Sequence, residues 1–486
     1  MKEYILPEKL LTNLKIDEDD YPVVVDLDGT FIKTDLLHEG IIILLRRNPL
    51  NIFVCINWWL KGKVFLKNQV YKSTSIKYEL LPINEEVLNF IEAEKDNGRN
   101  LVLATASLIT HAKEIMRIYP IFNEVYGTGD INLKGKNKLN VLVNEFGYSH
   151  FDYIGNSRSD LKIFTASRYS YLVNPSKSLE RKTRYTSNVK HVWKSKVSIV
   201  DYLKAIRIYQ WLKNLLIFVP FITSHSFSIP HIFQAVGGFF AFSLVASSGY
   251  LVNDLFDLNM DRVHPRKRFR PFASGKIPIL PGLILACILL VTGLLIGSQL
   301  NFSFFMILAT YFVVSFSYSM YFKKMVLYDV FILASLYSIR VIAGGLASNI
   351  HISFWLILFS TFIFLSLAFV KRISELRKIK TGANLLDRGR GYSTLDINLI
   401  EMMGIASGFL SVVVFSLYIN SPEVSILYSH PKVLWPLTFL FLLWISRIWV
   451  VTNRGEMTDD PIVFAIKDVG SYFILALIGL TIYFAI

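Results

Sequence analysis

The stretch NDLFDLNMD, residues 253–261, sets Asp254, Asp257 and Asp261 at spacings i, i+3 and i+7 beside Asn253. On a helix these positions share one side, so the three carboxylates repel one another unless a cation sits among them. Oxygen donors of this kind favour Mg²⁺, which keeps part of its water and accepts phosphate oxygens. The same pattern also reads as a solvated helix end whose acids pair with Arg262 and Arg266. A second arrangement lies near the start: YPVVVDLDGTFIKTD (21–35) is a valine-rich run, read as a buried parallel strand that delivers Asp26 and Asp28 at its end. Strand alternation sends both acids to one side and Leu27 to the core, at the sheet edge where α/β folds present ligands.

The elements that position these residues differ in kind. The chain has 486 residues, 53% of them apolar. With a mean hydropathy of +0.43 and charge falling away after about residue 200, it divides into a soluble front part and a membrane-embedded remainder. From about residue 204, apolar runs near 205–224, 230–252, 280–298, 303–322, 327–347, 352–370, 400–420, 433–452 and 468–486 predict nine spans. The first is irregular, carrying Gln210, Lys213 and Asn214 where a lipid-facing helix is apolar.

Basic residues sort by loop. Loop 253–279 holds six, 323–324 two, 371–392 seven and 447–467 three, roughly eighteen against Lys432 alone on the other side. The positive-inside rule then makes those loops and the front domain cytoplasmic and puts the C-terminus outside. The N-terminus lacks the basic-then-apolar order of a secretory signal, which agrees. A net charge of +14 fits cationic loops and anionic, phosphate-bearing ligands, and no nucleic-acid recognition module is present. Two cysteines exclude a disulfide framework and leave any metal to oxygen ligands.

Polar side chains recur near one membrane depth: Lys213 and Asn214, Tyr318, Tyr321 and Lys323, Arg340 in YSIRVIAGG, and Lys371, Arg372 and Glu375 in VKRISELRK. Ionisable groups at such depths are costly and face an internal cavity. These residues carry a resemblance. NDLFDLNMD matches the NDxxDxxxD motif of the UbiA superfamily of intramembrane prenyltransferases at Asn253, Asp254, Asp257 and Asp261. IRIYQWLKNLLIFVP, DRVHPRKRFRPFASG, LYSIRVIAGG, KRISEL and RGEMTDDPIVFAIKD are similar to its decaprenyl-phosphate phosphoribosyltransferase branch, across essentially all of 200–486.

The resemblance implies that Asp254, Asp257 and Asp261 hold Mg²⁺ against pyrophosphate as ribose C1 becomes oxocarbenium-like. The acceptor, a polyprenyl monophosphate, is already an anionic nucleophile. Lys213, Asn214, Asn253, Arg262, Lys267, Arg270, Tyr318, Lys323, Arg340, Lys371, Arg372 and Glu375 are implied substrate-binding residues. His264, before Pro265, is read as shaping a turn. The chain departs from quinone- and haem-type members in the loop after span six, KRISELRKIKTGANLLDRGRGYST, which is cationic with Glu375 and Asp387 its only acids. Cations there suit phosphoribosyl pyrophosphate, which carries a further 5-phosphate. The RGEMTDDP loop adds Arg454, Glu456, Asp459 and Asp460, either capping the donor or closing a turn.

DLDGT resembles the first motif of the haloacid dehalogenase phosphatases, and Thr105 after NLVLATAS, Lys138 in LKGKNKLNVL, and Asn156 and Asp160 in GNSRSD follow in that family's order. The resemblance implies that Asp26 attacks phosphorus, Asp28 protonates the leaving alcohol and then activates water, and Thr105 and Lys138 hold phosphoryl oxygens. A second Mg²⁺ would rest on Asp26, Asp28, Asn156 and Asp160; Asn156 stands where the family has an acid. In the apolar segment 40–71, Trp58 and Trp59 beside Lys61 and Lys63 fit the headgroup region.

The expected protein is multi-domain. An α/β Rossmann-like haloacid dehalogenase domain (1–175) and a basic linker (176–199) precede an all-α, nine-helix UbiA-like bundle (200–486). It would sit in the plasma membrane with one Mg²⁺ per domain, moving 5-phosphoribose to a polyprenyl phosphate and removing the 5-phosphate. Prenyl transfer from an isoprenyl diphosphate to an aromatic or lipid acceptor is the alternative within enzymes. A transporter or scaffold with a regulatory phosphatase-like domain is the alternative outside them.

Overall fold

The computed structural model describes residues 21–195, 197–225, 228–380, 391–458 and 461–485. Asp387, Asp459 and Asp460 lie outside the described residues. The chain forms two compact units. The first runs to Tyr202 and takes in Asp254–Gly282; the second comprises Leu203–Asn253 and Leu283–Ile486.

The first unit is an α/β domain. Strand β1 (Val23–Val25) leads through α1 (Leu36–Arg47), α2 (Asn51–Leu60), α3 (Lys63–Ser73) and α4 (Glu85–Asp96) to β2 (Leu101–Leu108). Then come α5 (Ile109–Ile118), β3 (Glu124–Thr128), α6 (Lys136–Phe146), β4 (Asp152–Gly155), α7 (Leu161–Ala166), β5 (Ser170–Val173), α8 (Lys177–Thr186) and β6 (Val189–Trp193). The six strands pair in parallel in the order β3-β2-β1-β4-β5-β6. β1 is all valine and wholly buried because helices cover both sheet faces. One face gathers Val23, Val25, Leu101, Leu103 and Ile154, the other Val24, Val102, Tyr153 and Leu172. The order reverses between β1 and β4, which opens a crevice at their carboxyl ends.

The segment 176–199 is not a linker. It supplies α8 and the edge strand β6, whose register against β5 pairs Val173 with Trp193. Its charges hid a short buried set: Leu179, Thr183 and Trp193 are buried, and Trp193 lies against Tyr171 and Phe90.

The second unit is helical. α9 (Ile199–Ala205) is followed by a tightly wound segment Ile208–Phe218 and α10 (Val219–Thr223), bent from α9 by 52°. Arg207, in the left-handed region, makes the break, and Pro220 in α10 donates no backbone N–H. α11 (Ile229–Phe256) follows; its last residues and the short α12 (Leu258–Val263) carry the Asp-rich stretch and belong to the first unit. The remaining helices are α13 (Ile279–Leu300), α14 (Phe302–Met320), α15 (Tyr328–Ala347), α16 (Phe354–Lys380), α17 (Ile397–Ile419), α18 (Pro422–Leu427), α19 (Trp435–Asn453), α20 (Pro461–Lys467) and α21 (Val469–Ala485).

Among the described residues, α11, α13, α14, α15, α16, α17 and α19 are long and apolar enough to cross a bilayer, and the bent α9–α10 pair makes an eighth if taken as one span. α21 has 17 residues, a length of about 25 Å against a hydrocarbon core of about 30 Å. Gly344 in α15 marks a close approach: a Cβ there would lie 2.0 Å from the Ile217 carbonyl oxygen.

Candidate functional site

In the first unit the expected residues converge at the carboxyl ends of β1, β2 and β4. Asp26 follows β1 directly. Lys138, in the first turn of α6, donates to Asp26 Oδ1 at 2.7 Å, to the Ala104 carbonyl at 3.1 Å and to the Tyr153 hydroxyl at 3.2 Å. Thr30 donates to the other Asp26 oxygen at 3.3 Å. Asp28 accepts from the Leu36 amide at 2.9 Å, from Ser107 at 2.6 Å and from Thr105 at 3.3 Å. Gly29, at φ +75°, is required here: a Cβ would lie 2.1 Å from the Asn156 amide nitrogen.

The electrostatics divide the two acids. Burial, with Asp35 and Asp26 adding to it, pushes the Asp28 carboxyl up to about 7 against the Ser107 and Leu36 hydrogen bonds. Asp28 is therefore partly protonated near neutrality. Lys138 is held above its ordinary value: burial opposes its charge, but Asp26 and Asp160 outweigh burial. Burial also lifts Asp160 to about 6, with Lys138 opposing and Asp26 adding. Asp26, Asp160 and Asn156 offer oxygen donors with surplus negative charge, which fits a hard divalent cation, although among the described residues no three His, Cys, Asp or Glu side chains form a ready cage.

Sequence reading missed two members. Ser107 stands two residues beyond Thr105 on β2, a same-face spacing that could have revealed it. Lys67 of α3 is buried and donates to the Ala106 carbonyl. It lines a small pocket with Leu36, Leu37, Val70, Ser107, Leu108 and His111, and no motif signals it.

The Asp-rich stretch belongs to the same unit and departs from the expected single stripe. α11 ends at Phe256 and α12 begins at Leu258, so the helix breaks at Asp257. Asp254 and Asp261 still converge, on one Arg270 nitrogen at 3.0 and 2.7 Å. Asp257 turns instead to Arg46 of α1 at 3.6 Å. Burial pushes Asp261 up to about 6, Arg270 opposing and Asp254 and Asp257 adding. A guanidinium thus stands where the Asp254 and Asp261 carboxylates meet, with Asp257 near enough to add to the negative charge.

Arg262, expected on substrate phosphate, makes a bidentate pair with Glu39 of α1 at 2.5 and 3.2 Å, both side chains being buried. Thr34 donates to the same Glu39 at 2.8 Å. His264 Nδ1 accepts the Arg266 and Lys267 amides at 3.2 and 3.3 Å, the turn-shaping role.

In the second unit, Arg340 is buried on α15. It donates to Asn214 Oδ1 and to the Tyr311 hydroxyl, each at 2.9 Å, and lies over the Phe242, Tyr311 and Tyr337 rings. Asn214 is fixed in turn by Ser243 at 2.9 Å, and Lys213 lies 5.7 Å from the Tyr337 ring centre. Such a planar cation among ring faces, its fork set by fixed partners, is preorganised.

Arg372 pairs with Glu375 and with Asp329, the latter wholly buried and not anticipated; Tyr392 donates to Asp329 at 2.5 Å. Arg372, Glu375, Asp329 and Tyr392 are thus linked in one polar network. Lys371 within α16, Tyr318 near the end of α14, Lys323 just beyond it and Asn253 near the end of α11 are half-buried.

Residues 215–477, more than half of the chain, match the UbiA prenyltransferase family. The chain belongs to that family. It is an integral membrane protein with seven or more apolar helices. Among its relatives, the uncharacterized protein y4nM of Sinorhizobium fredii is 34% identical over 463 residues, 94% of this chain and 90% of that one, so the front domain and the UbiA part occur together there. The nodulation protein NoeC of Azorhizobium caulinodans is 32% identical over 60% of this chain and 94% of its own length. A decaprenyl-phosphate phosphoribosyltransferase of Mycolicibacterium smegmatis is 32% identical over 55% of this chain and 86% of its own.

Proposed function

We propose that this UbiA-family protein transfers 5-phosphoribose from phosphoribosyl pyrophosphate to a polyprenyl phosphate at the cytoplasmic face, and that its front domain, a haloacid dehalogenase-like phosphatase, removes the 5-phosphate of the product. The likeness to decaprenyl-phosphate phosphoribosyltransferases supports the first step. An oxygen of the acceptor phosphate attacks C1 of the ribose, and the C1–O bond to pyrophosphate breaks with its electron pair leaving on pyrophosphate. The acceptor is already ionised, so no base is needed. Mg²⁺ on Asp254 and Asp261 would neutralise the charge growing on pyrophosphate. Arg270 holds those two acids in register.

The observation that carries the second step is the different surroundings of two acids two residues apart. Asp26 is paired with Lys138 at 2.7 Å, whereas burial pushes the Asp28 carboxyl up to about 7. Asp26 attacks phosphorus, the ester oxygen leaves with the Asp28 proton, and water then cleaves the aspartyl phosphate as Asp28 recovers a proton. Mg²⁺ on Asp26, Asp160, Asn156 and the Asp28 carbonyl would balance the phosphoryl charge.

The family description itself favours a second reading, prenyl transfer from an isoprenyl diphosphate. Purified protein given labelled phosphoribosyl pyrophosphate or labelled dimethylallyl diphosphate, each with polyprenyl phosphate, separates the two. Label moving to lipid from the first donor alone is expected; label moving from the second alone replaces this reading with the other.

A further inference from the structure

Helix α2, NIFVCINWWL, has no charged residue and meets its own domain chiefly through Cys55 and Trp58, against Leu44, Leu66 and Val70. Its outward side is apolar. Leu50, Phe53, Trp59 and Leu60 are 65%, 67%, 61% and 73% exposed, and Ile52, Val54, Ile56 and Phe65 also face outward. Water-soluble domains rarely show a contiguous apolar patch of this kind without a partner. The surrounding charge has one sign. From Gly40 to Tyr78 the sequence holds seven Lys and Arg and no Asp or Glu. Arg47 at the end of α1 and Lys61 and Lys63 beyond the end of α2 are exposed.

Ten residues of helix rise about 15 Å, half the hydrocarbon thickness, so α2 cannot cross a bilayer but can lie along its surface. A basic rim around an apolar face matches anionic headgroups over acyl chains, and a tryptophan suits the boundary between them. The same polypeptide continues into membrane-spanning helices, so the domain is tethered to a bilayer and docking needs no separate encounter.

We propose that α2, with Leu50 and Phe65, is seated at the headgroup–acyl boundary of an anionic phospholipid bilayer, with Arg47, Lys61 and Lys63 on lipid phosphates. α1 and α3, which carry α2, also supply Leu36, Leu37, Lys67 and Val70 to the pocket containing Ser107, a partner of Asp28. Resting on the phosphatase reading, this makes the substrate class a phosphate monoester held in lipid, received without leaving the membrane surface.

The test uses the full chain in vesicles containing phosphatidylglycerol. A nitroxide is placed at Phe53→Cys in a Cys287→Ser background, Cys55 being buried. Tyr185→Cys, at a position 92% exposed on α8, is the water-facing control. The Phe53 label is expected to collide several-fold more with oxygen, relative to a water-soluble nickel complex, than the control does. An equal ratio at the two positions overturns the docking. So does a label shielded from both reagents whose spin–spin broadening disappears on dilution with unlabelled protein, which would assign α2 to a second copy.

A separate arm reads the substrate class. Trp59→Asp with Leu60→Asp is expected to slow hydrolysis of 5-phosphoribosyl-1-phosphoryl-polyprenol in vesicles at least tenfold while sparing soluble p-nitrophenyl phosphate. Unchanged hydrolysis of the lipid overturns the substrate class. Failure of the unsubstituted protein to hydrolyse either compound removes the phosphatase reading, and the spin label still decides the docking.

Discussion

Asp26 and Asp254 each face a fixed cation, Lys138 in one case and Arg270 in the other, and single substitutions should separate their duties. On the proposed function, Asp26→Asn should lower phosphate release by about 10³-fold or more while transfer persists and the phosphorylated lipid accumulates. Asp254→Ala should do the reverse. Thin-layer separation of labelled lipid products reads both outcomes, and retained transfer in Asp254→Ala would overturn the pyrophosphate assignment. At this scale the sequence was legible where residues sit in short motifs: Thr105 and Lys138, named from the family resemblance, lie against Asp28 and Asp26. It was silent on Glu39, Lys67 and Asp329, whose partners lie far along the chain and whose neighbours form no motif.

Among the elements, periodicity identified the apolar helices and the buried β1, but not where helices break. The turn at Asp257 and the tight segment Ile208–Phe218 depend on tertiary partners: Arg46 draws Asp257 aside, and Trp211 is held by Ser247 at 2.9 Å. β6 went unseen because a cationic edge strand with one buried aromatic has almost no alternating pattern.

Two predictions belong here. Gly344→Val would drive a branched side chain into the Ile217 backbone; a loss of about 1–3 kcal/mol or more is expected, read as a lower Tm in detergent. On α5, His111 accepts or donates a 2.7 Å bond with Tyr78, and burial, then Lys67, lowers its pKa to about 4. The unfolded chain therefore binds the proton more readily. The stabilisation is present above the ordinary histidine value of 6.5 and drains away as pH falls from there toward 4. Hydrogen–deuterium exchange in α5 should accelerate over that range, and His111→Gln should flatten the response.

For the molecule as a whole, the first unit gathers segments that the sequence separates by two hundred residues. Glu39 and Arg262 are both buried, so removing one partner strands a charge in a poorly solvated place. Glu39→Gln should cost about 3–5 kcal/mol and expose 254–282 to protease, whereas Glu39→Gln with Arg262→Met should recover much of the loss. Nothing local in the sequence links positions 39 and 262, since a contact across such a separation is fixed by the completed fold.

That pairing also bears on synthesis. Residues 21–195 leave the ribosome well before Arg262 is translated, and in the interval Glu39 has Thr34 but lacks its counter-charge. The Glu39–Arg262 pair can close only after α11 has been synthesised. A chain halted before Arg262 is therefore expected to show a more protease-sensitive front domain than the full chain, which limited proteolysis of truncated chains would read.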